Sequence, residues 1–188
     1  MPSSPVPGPV PPEAADVVAF WHQAGPQRWF AKDADFDAAF SARYMNLHMA
    51  AARREREDWL SWPEGSLALL VLLDQFPRNA FRGTGHMFAT DGLALAYAHR
   101  AIEAGHDRQV QPALQPFFYL PLQHAEDRRE QARSVALSRR LDEDFLKWAV
   151  LHQEIIERFG RFPHRNPLLG RVTTPQEQAF LDEGGFAG

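Results

Sequence analysis

Residues 67–73 are apolar at every position, and this run is the feature of the chain that most constrains its fold. A helix that is apolar on all sides has no face for water, so other elements must surround it. Ser61, Pro63 and Glu64 precede the run, and this pattern is typical of a capping box at a helix N-terminus. We therefore predict a helix over residues 61–76 that runs through the middle of the domain.

The rest of the chain repeats apolar residues at steps of three and four, and alternating β-branched patterns are missing almost everywhere. The predicted fold class is all-α, a single-domain antiparallel bundle or array of seven or eight helices. Besides the central helix, the predicted helices cover residues 12–24, 33–59, 88–104, 113–120, 126–140, 143–159 and a short last segment that starts at Thr174.

A chain of 188 residues fits one domain with one core. Residues 1–12 contain six prolines, so we predict a mobile Pro-rich tail before the domain. Residues 183–188 are rich in glycine and are predicted to fray. The helical domain is therefore expected to span residues 13–182.

The composition of the chain excludes several classes of site and of binding partner. The absence of cysteine excludes disulfides and thiolate metal sites, and we predict a cytoplasmic protein. A net charge of −4 provides no general basic field, so no nucleic-acid partner is predicted. No apolar run approaches the roughly 20 residues of a membrane span, so no membrane partner is predicted. Standard catalytic and metal-binding spacings do not occur, so no cofactor or metal is predicted, and the sequence does not determine the oligomeric state.

Two turns have nearly the same spelling: Phe-Pro-Arg-Asn at residues 76–79 and Phe-Pro-His-Arg-Asn at residues 162–166. Each follows an apolar helix. Proline often follows a helix end and arginine complements the helix dipole there, so structural capping is one interpretation. Because short connections make consecutive helices antiparallel, we also predict that the two turns lie on the same side and converge.

Several polar residues are predicted to point inward. Asp74 falls on the apolar face of the central helix and therefore needs a cationic partner, either Arg78 or Arg161. His152 lies among apolar residues and is predicted to be a hydrogen-bonded core histidine. If a helix starts at His124, its side chain shares a face with those of Asp127, Arg128 and Gln131.

These observations define a candidate binding site for an anionic group, either a carboxylate or phosphate of a small metabolite or an acidic peptide end. One alternative is a hydrolase-type enzyme in which His124 or His164 acts as general base and Glu126 or Asp127 orients it. Another is a purely structural polar network. The candidate binding residues are Arg78, Asn79, Arg82, His124, Glu126, Asp127, Arg161, His164, Arg165 and Asn166.

The motifs Leu-Asp-Gln-Phe-Pro-Arg-Asn at residues 73–79 and Phe-Gly-Arg-Phe-Pro-His-Arg-Asn at residues 159–166 resemble those of a widespread bacterial family of unknown function. The resemblance covers about residues 17–181. It implies a tetratricopeptide-like helical architecture, and it implies no activity or catalytic residue. Members of that family commonly carry Ser where Ala125 stands, so the resemblance disfavours a seryl nucleophile in this chain.

Overall fold

The computed structural model describes residues 8–187, and within this range the regular elements are all helical and no strand occurs. The predicted all-α, single-domain class is confirmed. Residues 1–7, which form most of the predicted Pro-rich tail, and the final residue lie outside the described range. The described part of that tail leads directly into the first helix, and the Trp62 indole donates a hydrogen bond to the Gly8 carbonyl at 2.6 Å.

The α-helices differ widely in length, and short 3₁₀ turns connect several of them. The α-helices are α1 (Pro12–Ala24), α2 (Pro26–Trp29), α3 (Ala34–Ala52), α4 (Pro63–Leu70), α5 (Phe76–Ala80), α6 (Asp91–Glu103), α7 (Leu120–Gln123), α8 (Arg128–Ser138), α9 (Glu143–Phe159) and α10 (Pro175–Asp182). The 3₁₀ turns cover Glu57–Ser61, Gly85–Phe88, His106–Arg108, Pro112–Phe118 and Pro163–Arg165.

Helix bounds agree with prediction where a local signal ends the helix. Helix α1 ends before Gly25, which has a φ of 73°, and α9 ends at the left-handed Gly160. Helix α10 starts at a complete capping box. The Thr174 hydroxyl accepts from the Glu177 backbone N–H, and the Glu177 carboxylate accepts from the Thr174 backbone N–H.

The central helix is buried as predicted, since no residue from 67 to 73 is more than 1% exposed. Its ends differ from the prediction. Ser61 ends a 3₁₀ turn, Trp62 occupies the N-cap, and no side chain caps the helix there. The capping-box prediction at Ser61 is therefore wrong. Helical structure also continues past Phe76 to Ala80, because a π-helical segment, Val71–Gln75, joins α4 to α5.

The π-helical segment Val71–Gln75 lies just before Pro77, a proline inside the continuous helix. Pro77 has no N–H to offer the carbonyl of Leu73, four residues earlier. The Thr90 hydroxyl donates to that carbonyl instead, and the His48 ring bonds the Leu72 carbonyl at 2.8 Å. Side chains from α3 and from the start of α6 thus satisfy backbone groups that a regular helix would satisfy itself.

The segment before α8 also departs from the prediction. Asp127 is the N-cap of α8, and its carboxylate accepts from the backbone N–H groups of Arg129 at 2.7 Å and Glu130 at 3.2 Å. His124 precedes this cap and lies outside the helix. The proposed shared helical face of His124, Asp127, Arg128 and Gln131 is therefore wrong.

The main core is aromatic-rich and surrounds α4, while a smaller cluster forms under α9 and α10 around Ile155, Ile156 and Phe162. Phe186, from the segment predicted to fray, packs against this smaller cluster. Its ring centroid lies 4.7 Å from that of His152 and 5.1 Å from that of His164.

Candidate functional site

The two Phe-Pro turns meet at Asp91, the first residue of α6. Arg78, from the first turn, donates two hydrogen bonds to the Asp91 carboxylate at 2.8 and 3.1 Å. Arg165, from the second turn, donates one at 3.4 Å. Nearby, the backbones also approach closely: a Cβ on Gly85 would lie only 2.8 Å from the carbonyl oxygen of Leu168. The predicted convergence of the turns is confirmed.

Asp74 has the partner predicted for it. Its Oδ1 lies 3.4 Å from the Arg78 guanidinium and 2.8 Å from Nδ1 of His124, and Gln75 donates to its Oδ2 at 2.6 Å. Burial opposes the ionised form of Asp74, but the charge of Arg78 and the contact with His124 outweigh burial, so the pKa of the carboxyl falls below its usual value. Asp74 is therefore an anion inside the protein. Arg161, the other predicted partner, binds elsewhere.

Arg165 is a buried cation with few hydrogen bonds. Its side chain is 8% exposed, and its guanidinium carbon lies 4.6 Å from the ring centre of Phe88 and 4.5 Å from that of Phe162. Within residues 8–187 its Nε has no hydrogen-bond partner. Burial and the neighbouring charge of Arg78 lower the pKa of Arg165 to about 10. The two aromatic faces stabilise the cation without using its N–H donors.

Three histidines lie beside these arginines. Burial, followed by the charge of Arg78, lowers the pKa of His124. Burial and neighbouring positive charges, Arg165 among them, lower the pKa of His152 to about 3 and that of His164 to about 4. His152 hydrogen-bonds the Trp148 carbonyl at 2.8 Å, in agreement with its predicted core position. All three imidazoles are therefore neutral near pH 7.

The contacts among these side chains form a closed ring. The rings of His124 and His152 are 6.4 Å apart, and those of His152 and Phe162 are 5.4 Å apart. Since Phe162 stacks on Arg165, the path returns through Asp91 and Arg78 to Asp74 and His124. We call the polar members of this ring, together with His164, the Arg–His cluster: Asp74, Arg78, Asp91, His124, His152, His164 and Arg165.

Asn79, in the first turn, and Arg82, three residues after it, lie outside the cluster. Asn79 and Arg82 both bind Asp37, in the first turn of α3, with the Asn79 amide at 2.6 Å and the Arg82 Nε at 3.0 Å. They connect α5 and the following loop to α3.

Arg161, just before the second turn, and Asn166, at its end, also bind the scaffold rather than the cluster. Arg161 donates to Glu177 at 2.6 and 2.9 Å and to the Val172 carbonyl. The hydrogen bond from Arg161 is the main cause that lowers the pKa of Glu177 to about 2. Asn166 is fully buried, and its amide also faces Glu177, at 3.3 Å. These residues anchor α10.

Glu126 and Asp127, the acids expected to orient a histidine, bind other groups instead. Glu126 accepts from the Phe162 backbone at 2.9 Å and pairs with Arg171 at 2.7 Å. Burial opposes ionisation of Glu126, but the hydrogen bonds from Arg171 and the Phe162 backbone, together with the charges of Arg165 and Arg171, outweigh it and lower the pKa of the carboxyl. Asp127 is the helix cap described above. The predicted pairing of Glu126 or Asp127 with a histidine is wrong, and the carboxylate that contacts His124 is Asp74.

Sequence reasoning missed Asp91, Phe88 and Phe162 as parts of the site. Asp91 opens a helix, where an acid is expected for the dipole alone, and the two phenylalanines follow an ordinary core pattern. Phe162 lies within the second motif that resembles the bacterial family, whereas Phe88 and Asp91 lie outside both motifs.

No group of three or more metal-ligating side chains suited to hold a metal ion occurs in the part of the chain that the structure describes. In the same part, no helix is both long and apolar enough to cross a bilayer. Two open cavities of about 300 and 450 Å³ lie along α1 and α3, away from the Arg–His cluster.

Comparison with known proteins places the chain among proteins without an assigned activity. Residues 17–185 match the profile described as "Bacterial protein of unknown function (DUF924)". A solved structure of a protein of unknown function from Agrobacterium tumefaciens is 55% identical, covers 92% of this chain and 98% of its own, and superposes with a TM-score of 0.90. No curated protein matches the chain in sequence.

Proposed function

The chain belongs to the DUF924 family of bacterial proteins of unknown function, and we propose that its Arg–His cluster binds an anionic group, a carboxylate or a phosphate, at the guanidinium of Arg165. The observation that carries this proposal is the unused hydrogen-bonding capacity of that buried cation. A guanidinium has five N–H donors. Arg165 makes one long hydrogen bond at 3.4 Å, and its Nε has no partner within the described chain.

A buried charge is costly unless hydrogen bonds and opposite charge compensate it. Asp91 compensates Arg165 only in part, because the same carboxylate receives two shorter bonds from Arg78. The pKa values support the same interpretation: positive neighbours contribute to the lowering at His124, His152, His164 and Arg165 itself. An anion beside Arg165 would relieve this excess of positive potential.

The scaffold around the cluster favours a small occupant. The Arg165 guanidinium lies over the rings of Phe88 and Phe162, and its planar fork of donors suits the geometry of carboxylate and phosphate oxygens. We therefore favour a small metabolite over an acidic peptide end, which needs an open groove.

Further parts of the proposal rest on sequence. The absence of cysteine supports a cytoplasmic location. The antiparallel pairing expected for α8 and α9, which are joined by a short loop and pack together, supports a tetratricopeptide-like arrangement.

A structural role for the whole network is the second candidate. The observation in its favour is that several predicted site residues are fully engaged in scaffold contacts, Arg161 with Glu177 and Arg82 with Asp37 among them. The two candidates differ at Arg165. A structural role predicts no response to added anions.

The test is thermal unfolding in increasing phosphate, with chloride added to keep the ionic strength constant. We expect Tm to rise with phosphate in the wild-type protein and to lose this response in Arg165→Met, which keeps the apolar stem. Arg43→Met is the matched control, because Arg43 pairs with Asp16 on the surface away from the cluster. The proposal is wrong if the wild-type protein does not respond, or if Arg165→Met responds equally.

A further inference from the structure

His124 and Asp74 form a histidine–carboxylate pair whose two partners are held from several sides. The His124 Nδ1 lies 2.8 Å from Asp74 Oδ1. Because the positive charge of Arg78 keeps Asp74 ionised, the carboxylate can only accept, and the proton between them belongs to Nδ1 of His124. The neutral ring then carries its lone pair on Nε2.

The carboxylate of this pair cannot easily turn away. Asp74 belongs to the π-helical segment, a distortion often found at functional sites. Gln75 fixes its Oδ2, and Arg78 contacts both its carboxylate and its backbone carbonyl, the latter at 2.7 Å. A carboxylate held in this way determines both the tautomer and the orientation of the imidazole.

The other histidines with hydrogen bonds lack this arrangement. His48 and His152 bond backbone carbonyls, and His106 bonds the hydroxyl of Ser66. His99 faces Glu130, but Arg133 occupies its other nitrogen. His124 combines a carboxylate on one nitrogen with a side chain that stays 15% exposed, and the same carboxylate contacts Arg78.

We propose that His124 is a general base for a substrate whose anionic group binds at Arg165, and that Asp74 is its positioning residue. This step rests on the proposed function. A hydroxyl of the substrate, or a water beside it, loses its proton to Nε2: the O–H bond breaks, an N–H bond forms, and the electron pair stays on oxygen. The resulting imidazolium is stabilised by Asp74, and the nearby guanidinium groups stabilise the negative oxygen.

The first test measures the reactivity of each histidine towards diethyl pyrocarbonate, which acylates unprotonated imidazole nitrogen, by mass spectrometry of peptides. We expect His124 to be acylated and phosphate to protect it, by about tenfold near ten times the dissociation constant. Arg165→Met should keep the acylation and lose the protection. His22 is the internal reference, since it is exposed on α1 and lies outside the cluster, and phosphate should not change its reactivity.

The outcomes separate the two proposals. If phosphate raises Tm in the wild-type protein but leaves His124 acylation unchanged, the anion site stands and the general base is wrong. If His124 is not acylated at all, the general base is likewise wrong. If phosphate changes neither Tm nor acylation, anion binding itself is wrong.

The positioning role of Asp74 has its own spectroscopic readout. Long-range ¹H–¹⁵N NMR on the wild-type protein should show His124 with a protonated Nδ1 and a bare Nε2. In Asp74→Asn the population of the Nε2–H tautomer should rise. A wild-type His124 protonated at Nε2 contradicts the proposal, and this measurement does not depend on whether the variant folds.

Discussion

At the scale of single residues, the site depends on charges that the protein buries and only partly compensates. Asp74 is 1% exposed and is surrounded by Arg78, Gln75 and His124. Arg165 is almost as buried and has one weak hydrogen bond. Asp74 is therefore expected to stabilise the fold, while Arg165 has hydrogen-bonding capacity to offer a ligand.

The substitution Asp74→Asn tests whether Asp74 stabilises the fold. It leaves Arg78 without one of its two carboxylates, and breaking a buried ion pair by removing one partner typically costs about 3 to 5 kcal/mol. We expect a loss of that size in the free energy of unfolding measured by urea denaturation. Asp58→Asn, on the exposed surface, is the control and should change stability by less than about 0.5 kcal/mol. Equal stability of both variants contradicts the role given to Asp74.

The buried neutral histidines predict how stability depends on pH. The folded protein lowers the pKa of His152 from 6.5 to about 3, so below pH 6.5 the unfolded chain binds the proton more readily than the folded one. Stability should therefore be greatest above pH 6.5 and fall as the pH decreases, by about 2 kcal/mol between pH 7 and 5 for this residue alone.

Comparing His152→Gln with the wild-type protein isolates this contribution. His124, His164 and Arg165, the charged or titratable groups that influence its pKa, remain in both proteins. Thermal unfolding at several pH values should show a shallower decline in the variant. Parallel declines would mean that His152 is not held neutral by the fold.

Sequence reasoning identified some of these residues and not others for a physical reason. Asp74 and His152 stand at positions where the helical period demands apolar side chains, so burial could be predicted. Asp91 stands at a helix start, where a carboxylate needs no further explanation. Its role becomes visible only when two distant arginines reach it.

At the scale of elements, the joint between α4 and α5 is what places Asp74. Pro77 removes one N–H from the helix, the π-helical segment accommodates the loss, and Thr90 supplies a hydroxyl to the Leu73 carbonyl. The start of α6 is thereby tied to the central helix next to Asp91.

Thr90→Val tests this joint. The valine has a similar shape but no donor, so the buried Leu73 carbonyl loses its partner, at a cost of about 1 to 3 kcal/mol. Adding Pro77→Ala restores an N–H that can reach the same carbonyl, so the double variant should recover part of the loss in urea denaturation. Thr84→Val is the control, because the Thr84 hydroxyl bonds the Phe81 carbonyl at the surface. Strict additivity of the two substitutions would contradict this explanation.

The contrast among the helices shows what local sequence determines. Helices α1, α9 and α10 follow from their glycines, prolines and caps, and their predicted starts or ends are confirmed. The π-helical segment and the break between His124 and Asp127 depend on hydrogen bonds from other parts of the chain. Periodicity alone therefore ended the central helix too early and began α8 too early.

At the scale of the whole molecule, two segments about 85 residues apart in sequence bring two guanidinium groups to one carboxylate. The alternation of helix direction predicted this convergence, although it could not predict that Arg78 and Arg165 would be the residues that meet at Asp91. Asn79, Arg82, Arg161 and Asn166 instead tie the helices on either side together. The scaffold thus surrounds a small charged centre.

The most direct measurement of the central claim is the crystal structure of the wild-type protein soaked in tungstate, a tetrahedral anion with a strong anomalous signal. We predict an anomalous peak with its oxygens within about 3 Å of the Arg165 guanidinium, so that Nε gains a hydrogen-bond partner. Tungstate bound only elsewhere on the protein, with Arg165 Nε still unpaired, would contradict the account.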